Sequence, residues 1–277
     1  MNLRDGVLVG IDDLTRHLVL QLLLDGAAQI ARAVGRGVGL LDKIVLNGFV
    51  PGKVQALILK ALLQLREHDA RDIGKILLEF VKSGFHGGGA LAVPIVTFGN
   101  RSFDNSLAEL CACLEADGFH TIGAGAFACR HAFTDALAGG RPDHEDMAEL
   151  AKLGSAVVGR IVKMTRIPAP VTVDGDADAP YYRPLGLDGE PKVFLKAKPR
   201  TDMDKCIRCG VCASLCPMGS INPDDVSEVA GVCIKCHSCV RSCPVGAKYF
   251  DDPAFLSHRA MLERDYVRRA ADKIFTE

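Results

Sequence analysis

The chain has 277 residues, of which 48% are hydrophobic and 24% charged, and its formal net charge is −1. This composition is typical of a globular protein, and the near-zero charge argues against nucleic-acid or anionic-membrane partners. The most apolar stretch, residues 18–24, is far shorter than a bilayer span. Since the amino terminus also lacks the pattern of a signal peptide, we expect a cytoplasmic protein with no membrane span.

Residues 1–165 alternate short apolar runs with segments of helical periodicity. The predicted strands cover 6–11, 42–49, 90–98 and 119–127, and the predicted helices cover 13–34, 53–67, 71–82, a segment from about 105, and 143–165. Strands that alternate with helices predict an α/β domain with a doubly wound parallel sheet.

The chain changes character after residue 165. Residues 166–200 are rich in Pro, Gly and Asp and show no sustained hydrophobic period, which predicts a linker with a short strand at 192–197. Residues 201–252 hold most of the cysteines and form a second predicted domain. Residues 253–277 carry apolar side chains at helical spacing, so we expect a C-terminal helix packed against the body of the protein.

Eleven cysteines are present, and eight of them lie between residues 206 and 243. In the cytoplasm thiols are kept reduced, so this clustering indicates metal or redox chemistry rather than disulfides. The other three, Cys111, Cys113 and Cys129, are interpreted as small buried hydrophobic residues.

The eight clustered cysteines form two copies of the pattern C-x2-C-x2-C-x3-C-P. In such a pair, the fourth cysteine of each copy ligates the cluster of the other copy. The first [4Fe–4S] cluster is therefore assigned to Cys206, Cys209, Cys212 and Cys243, and the second to Cys233, Cys236, Cys239 and Cys216.

A zinc site built from C-x2-C pairs is the alternative, but two complete copies with both prolines favour the clusters. A cluster with four cysteine ligands has no open iron position, which predicts electron transfer rather than substrate binding.

The chain resembles the flavodoxin–ferredoxin fusions of anaerobic bacteria and archaea, the EFR-type ferredoxins. The resemblance covers roughly 90–277 and rests on the sequences at 93–110, 123–127, 140–143 and 181–184, and on the double cysteine run with AKYF after it. It implies a flavodoxin-like domain joined by a linker to a small α+β bacterial-type 2[4Fe–4S] ferredoxin domain.

The same resemblance implies an FMN site, which in flavodoxin-like folds lies at the carboxyl ends of the strands. The candidate flavin-binding residues follow the strand predicted at 90–98 and are Thr97, Phe98, Gly99, Asn100, Arg101 and Phe103. The glycine permits close approach, the aromatic rings stack on the flavin, and the arginine stabilises its reduced anion. The alternative is a strand-to-helix turn in which Asp104 or Asn105 caps the next helix.

The amino-terminal third departs from the family. Asp12 and Asp13 stand where a turn should hold the FMN phosphate, and like charges repel there. The second strand of the fold is also hard to recognise. The sequence therefore leaves open whether the sheet is complete and whether FMN is bound.

Three functions follow from these observations. The favoured one is an electron carrier that relays single electrons between a redox protein and a flavin in the same chain, through two clusters. A flavin-dependent reductase of a quinone or other small acceptor is the second, although no catalytic acid or base is recognisable. The third is a flavin-free ferredoxin whose amino-terminal domain serves for docking.

Overall fold

The computed structural model describes residues 86–277. Several predictions lie outside these residues, namely the strands at 6–11 and 42–49, the helices at 13–34, 53–67 and 71–82, and the acidic pair Asp12 and Asp13. Within 86–277, no helix is both long and apolar enough to cross a bilayer.

The described chain begins with a parallel β-α-β unit. Its elements are β1 (Leu91–Ala92), β2 (Ile95–Phe98), α1 (Ser106–Ala116), β3 (His120–Thr121) and β4 (Ala124–Ala128). β1 pairs in parallel with β3, where Leu91 lies opposite His120, and β2 pairs in parallel with β4, where Ile95 lies opposite Gly125. Both predicted strands are therefore present, each interrupted once, and the predicted helix connects them.

Helix α1 covers one face of these strands. Its buried stripe follows the predicted spacing i, i+3, i+4, i+7, at Leu107, Leu110, Cys111 and Leu114. Burial of one such leucine side chain contributes about 2 kcal/mol to stability. Burial also raises the pKa of the Cys111 thiol to about 12, as expected for a cysteine that serves as a small apolar residue.

Helix α2 (His144–Lys163) covers the opposite face. The Asp143 side chain accepts hydrogen bonds from the backbone N–H groups of Glu145 and Asp146, and the Asp146 side chain accepts one from the Asp143 N–H, which completes a capping box. Leu153 and Val157 of α2 pack with Ile122 and Phe127 of the strand region. The strands therefore form the middle of three layers, as in α/β domains.

Residues 166–200 run across this α/β unit and then fold into a turn. The backbone N–H of Val171 donates to the Thr121 carbonyl at 3.0 Å. The short strand predicted at 192–197 is absent from the structure. Instead, the Ala197 N–H donates to the Phe194 carbonyl across a turn that buries the Phe194 ring in an aromatic cluster. The segment lacks the burial that its apolar composition suggests, because Val193 and Leu195 are exposed while Phe194 is buried.

The cysteine-rich domain is small and mixed α+β, as predicted. It consists of β5 (Arg200–Thr201), α3 (Val211–Ser214), α4 (Ser238–Arg241) and β6 (Lys248–Tyr249), and β5 pairs antiparallel with β6. This pairing joins the first and last residues of the domain, so the two cysteine runs are enclosed in one closed loop of chain.

The C-terminal segment differs from its prediction. The helix expected over 253–277 ends early, as α5 (Pro253–Asp265), and the chain then forms β7 (Lys273–Phe275). β7 pairs antiparallel with β4, which gives the strand order β2-β4-β7 and makes the sheet mixed instead of purely parallel. Ile274 and Phe275 pack into different apolar clusters, which is the two-residue alternation of a strand.

Asn100 holds the segment between α5 and β7. Its buried carboxamide donates to the carbonyls of Tyr266 (2.7 Å) and Arg268 (2.6 Å), and its Oδ1 accepts the Ala270 N–H (3.1 Å). One side chain thus satisfies three backbone groups of a segment that has no regular structure of its own.

A buried charge network holds the next residues of the same segment. Arg141 donates to the Ala270 carbonyl and forms ion pairs with Asp146 and Asp272, and Asp272 accepts the Ala128 N–H at 2.8 Å. Burial opposes ionisation of Asp146, but hydrogen bonds from Arg141 lower its pKa. Burial and the charge of Asp146 raise the pKa of Asp272 to about 6. The negative charge that pairs with Arg141 is therefore held most firmly on Asp146.

We predict that Asn100→Gly loosens the C-terminal segment. Asn100 has φ of 70°, which glycine adopts without strain, so the variant removes only the carboxamide. Leaving three backbone groups without partners should lower the free energy of unfolding by about 2–3 kcal/mol. Anaerobic urea denaturation and the rate of trypsin cleavage after Arg268 and Arg269 measure this effect.

The matched control is Ala138→Gly, since Ala138 also has positive φ (50°) but carries no polar side chain. It should leave stability unchanged or slightly raised. Equal stability and equal trypsin resistance of the Asn100→Gly and wild-type proteins would contradict the anchoring role.

Candidate metal centre

The two cysteine runs fold alike. Each position of the first run recurs 27 residues later, as Cys206 and Cys233 do. The repeat extends to the backbone, because matching residues have positive φ, namely Arg208 (53°) and Lys235 (54°), Gly210 (73°) and His237 (59°), and Gly219 (58°) and Gly246 (61°). Left-handed residues turn successive N–H groups towards one side, where they can meet negative charge.

Four cysteine sulfurs accept hydrogen bonds from backbone N–H groups at these turns. The Arg208 N–H donates to Cys206 Sγ at 3.4 Å, and the Lys235 N–H donates to Cys233 Sγ at the same distance. The last cysteine of each run is bonded in the same way. The Ser220 N–H donates to Cys216 Sγ at 3.3 Å, and the Ala247 N–H donates to Cys243 Sγ at 3.1 Å. Such bonds stabilise a sulfur that carries negative charge, as a metal-bound thiolate does.

The first set of cysteines, meaning the four assigned to the first cluster, lines one cavity. The cavity opens to solvent, and its lining includes Cys206, Cys209, Cys212 and Cys243. Cys243 belongs to the second run, and it lines the same cavity as the three cysteines of the first run. Within 86–277, no three His, Cys, Asp or Glu side chains converge closely enough to hold a single ion.

The second set consists of Cys216, Cys233, Cys236 and Cys239, and its members lie close enough to influence one another. Burial, together with the charges of Cys236, Cys233 and Cys216, raises the pKa of Cys239 to about 12. Burial also raises the pKa of Cys233, with added effects of Cys236 and Cys216. Four thiolates in this position repel one another unless a metal centre neutralises them, which fits a cluster site.

The two sets have different surroundings. In the first set Cys209 is exposed, and the neighbouring Ile207 is 62% exposed. None of the four cysteines of the second set is exposed. Beside them lies the buried His237 ring, which stacks on Phe250 with 4.6 Å between centroids and contacts Phe133 at 5.1 Å. The first set therefore faces solvent, whereas the second faces the α/β domain.

Contacts from helix α4 join the cysteine-rich domain to the α/β domain. Arg241 donates from Nε to the Ala132 carbonyl at 3.1 Å and pairs with Asp135 through Nη1. The Phe133 ring, from the same loop, packs on Phe255 of α5 at 4.8 Å. The loop after β4 thus packs against the second cysteine run at His237 and Arg241.

Sequence reasoning missed one residue of this centre, Lys248. It lies in β6, lines the cavity of the first set, and donates from Nζ to the Val226 carbonyl. Burial raises the pKa of Cys212, and the positive charge of Lys248 opposes that shift; its charge acts in the same way on Cys239. Alignment of the two runs could have pointed to Lys248, because the matching residue of the first run is the apolar Ile221.

The six candidate flavin residues lie together at the end of β2, but their polar groups serve the protein. Asn100 binds the C-terminal segment as described, and Arg101 pairs with Asp104 and lies 3.8 Å from the centre of the Tyr182 ring. The remaining four pack or pair with neighbours, Thr97 opposite Phe127, Phe98 against Phe103 at 5.6 Å, and Gly99 against His131. In this arrangement the residues do not fit an FMN site.

The capping alternative for this turn holds for the position of Asn105 but not for its side chain. Asn105 is the N-cap of α1, but its side chain makes no capping hydrogen bond. Its Oδ1 accepts the Asp176 N–H at 3.0 Å instead, while Asp104 pairs with Arg101. The turn therefore anchors the segment 166–200 and the C-terminal segment.

Comparison with protein families identifies the cysteine runs. Models of the 4Fe–4S binding domain match residues 199–222 and residues 230–246. A search of curated proteins and a search of solved structures found no match to the chain. Residues 199–246 are therefore two consecutive 4Fe–4S binding domains of the ferredoxin type, and they make the chain an iron–sulfur protein.

We predict that Cys216→Ser removes the cluster of the second run. Because Cys216 lies with Cys233, Cys236 and Cys239, its loss should leave about four irons per chain where the wild type has about eight. The double variant Cys216→Ser/Cys236→Ser should keep the same four irons, whereas Cys216→Ser/Cys209→Ser should lose nearly all of them. Iron and acid-labile sulfide assays after anaerobic reconstitution measure the difference.

The control is Cys129→Ser, which lies outside both runs and should retain full iron content. The cross-ligation is disproved if Cys216→Ser/Cys209→Ser keeps four irons while Cys216→Ser/Cys236→Ser loses all of them.

Proposed function

We propose that the protein is an electron carrier with two [4Fe–4S] clusters, the first held by Cys206, Cys209, Cys212 and Cys243 and the second by Cys216, Cys233, Cys236 and Cys239. The observation that supports this most directly is the cavity of the first set, which unites three cysteines of one run with the last cysteine of the other. Each cluster supplies one-electron chemistry when bound.

The protein's part is to hold the thiolates and stabilise their charge. Backbone N–H donors reach one cysteine at the start and one at the end of each run, at 3.1–3.4 Å. These donors favour deprotonated sulfur and are fixed by residues with positive φ, so they do not need to reorganise when an electron arrives.

Exchange with an external redox protein is proposed at the first set. Cys209 is exposed there, and Ile207, Val245 and Met203 add exposed apolar surface around it. Electron transfer requires the partners to come close, and transient redox complexes have small interfaces of this kind. The second cysteine run packs against the loop after β4 instead.

The α/β domain is proposed to act as a docking body rather than a flavin domain. Its strand-end turn is occupied by contacts of Asn100 and Arg101, and its loop residue Phe133 packs against His237 of the second cysteine run. This favours the flavin-free interpretation over the flavin relay and over a flavin-dependent reductase.

The function is tested on the full chain after anaerobic purification and reconstitution with iron and sulfide. We expect about eight irons and eight sulfides per chain, a broad visible absorbance that dithionite bleaches, and reoxidation by a one-electron acceptor protein. Acid extraction should release no flavin, even after incubation with FMN.

Two results would contradict parts of this proposal. Stoichiometric zinc without sulfide in the purified protein, together with no cluster uptake, would overturn the electron-carrier function. One FMN per chain after incubation would overturn the docking role of the α/β domain and support the flavin relay.

A further inference from the structure

Lys248 breaks the two-fold similarity of the cysteine-rich domain. The residue at the matching position of the first run is Ile221, and the two side chains are equally buried, Ile221 at 4% and Lys248 at 3% exposure. One run therefore places an apolar side chain, and the other a cation, at the same site of a repeated fold. Burying a cation is unfavourable unless a negative group compensates it, so the difference requires an explanation.

The Lys248 ammonium lies between the two cysteine sets. Its Nζ donates to the Val226 carbonyl, and Val226 packs in one apolar cluster with Cys212 of the first set and Cys239 of the second. Lys248 also lines the cavity of the first set together with Cys243. The charge is thus adjacent to both sets at once.

The ammonium forms no ion pair with any carboxylate among residues 86–277. Asp225 is near enough for its pKa to be lowered by Lys248, but its side chain is exposed and bonds to Ser227. The ammonium acts electrostatically on Cys212 of the first set and Cys239 of the second, which carry negative charge as ligands of a cluster. A charge with this environment is only weakly screened by solvent, in contrast to a surface lysine.

We propose that Lys248 is a fixed positive charge shared by the two clusters, which stabilises their reduced forms and raises both reduction potentials. Reduction transfers one electron from a donor protein to a cluster and adds one negative charge beside the ammonium, without any bond being made or broken. A nearby cation favours that change. This inference rests on the proposed function, because it needs clusters in both sets.

The test compares neutral and charged replacements of Lys248. Lys248→Gln keeps a donor for the Val226 carbonyl, Lys248→Met keeps the shape of the chain, and Lys248→Arg keeps the charge. Iron and sulfide content is measured first, and the midpoint potentials are then determined by redox titration monitored by electron paramagnetic resonance. The matched control is Lys205→Gln, since Lys205 adjoins Cys206 but is exposed and pairs with Asp202.

In the fully loaded Gln and Met variants, we expect the ratio of reduced to oxidised cluster at a fixed potential to fall roughly tenfold for both clusters, which corresponds to about 59 mV for a one-electron couple. Lys248→Arg should stay within about threefold of the wild type. Lys205→Gln should titrate as the wild type does, because solvent screens its charge.

Wild-type potentials in the fully loaded Gln and Met variants would overturn the inference and leave Lys248 with a packing role. An equal shift in Lys205→Gln would also overturn it, because burial between the sets would then not matter. Failure of the wild-type protein itself to take up clusters would instead overturn the proposed function, so the two failures are distinguishable.

Discussion

The pairing of β7 with β4 is the contact on which the described architecture depends. The chain leaves the α/β unit after α2, forms the cysteine-rich domain, and returns to add an antiparallel strand to the same sheet. Asn100 and Arg141 fix the returning segment through its backbone carbonyls. Because the cysteine-rich domain is attached on both sides, its second cysteine run is held against the loop after β4.

The cysteine centre could be predicted because its chemistry is local in sequence. The spacing within each run, together with the proline after it, indicates two 4Fe–4S motifs, and the family models match both runs. The cavity at the first run is lined by Cys206, Cys209, Cys212 and Cys243. Helix α1 was equally readable, since its buried stripe follows one clean helical period. Both signals depend only on residues that lie close together along the chain.

The features that the sequence did not reveal depend on distant contacts. Asn100 appeared suited to a ligand at a strand end, but the segment that it binds lies more than 160 residues later. β7 is three residues long, too short for its alternation to be distinguished from the end of a helix. Lys248 lies in the sequence AKYF, which assigns it no role, and only the fold places it beside the cysteine sets.

The order of elements along the chain has a consequence for synthesis. Domains generally fold as units while the chain emerges, starting from the amino-terminal side. The edge of β4 stays open until β7 has been made, and β7 follows the entire cysteine-rich segment. All eight cluster cysteines therefore leave the ribosome before β7 can pair with β4, so the sheet reaches its final strand order only after the whole cysteine-rich segment has been made.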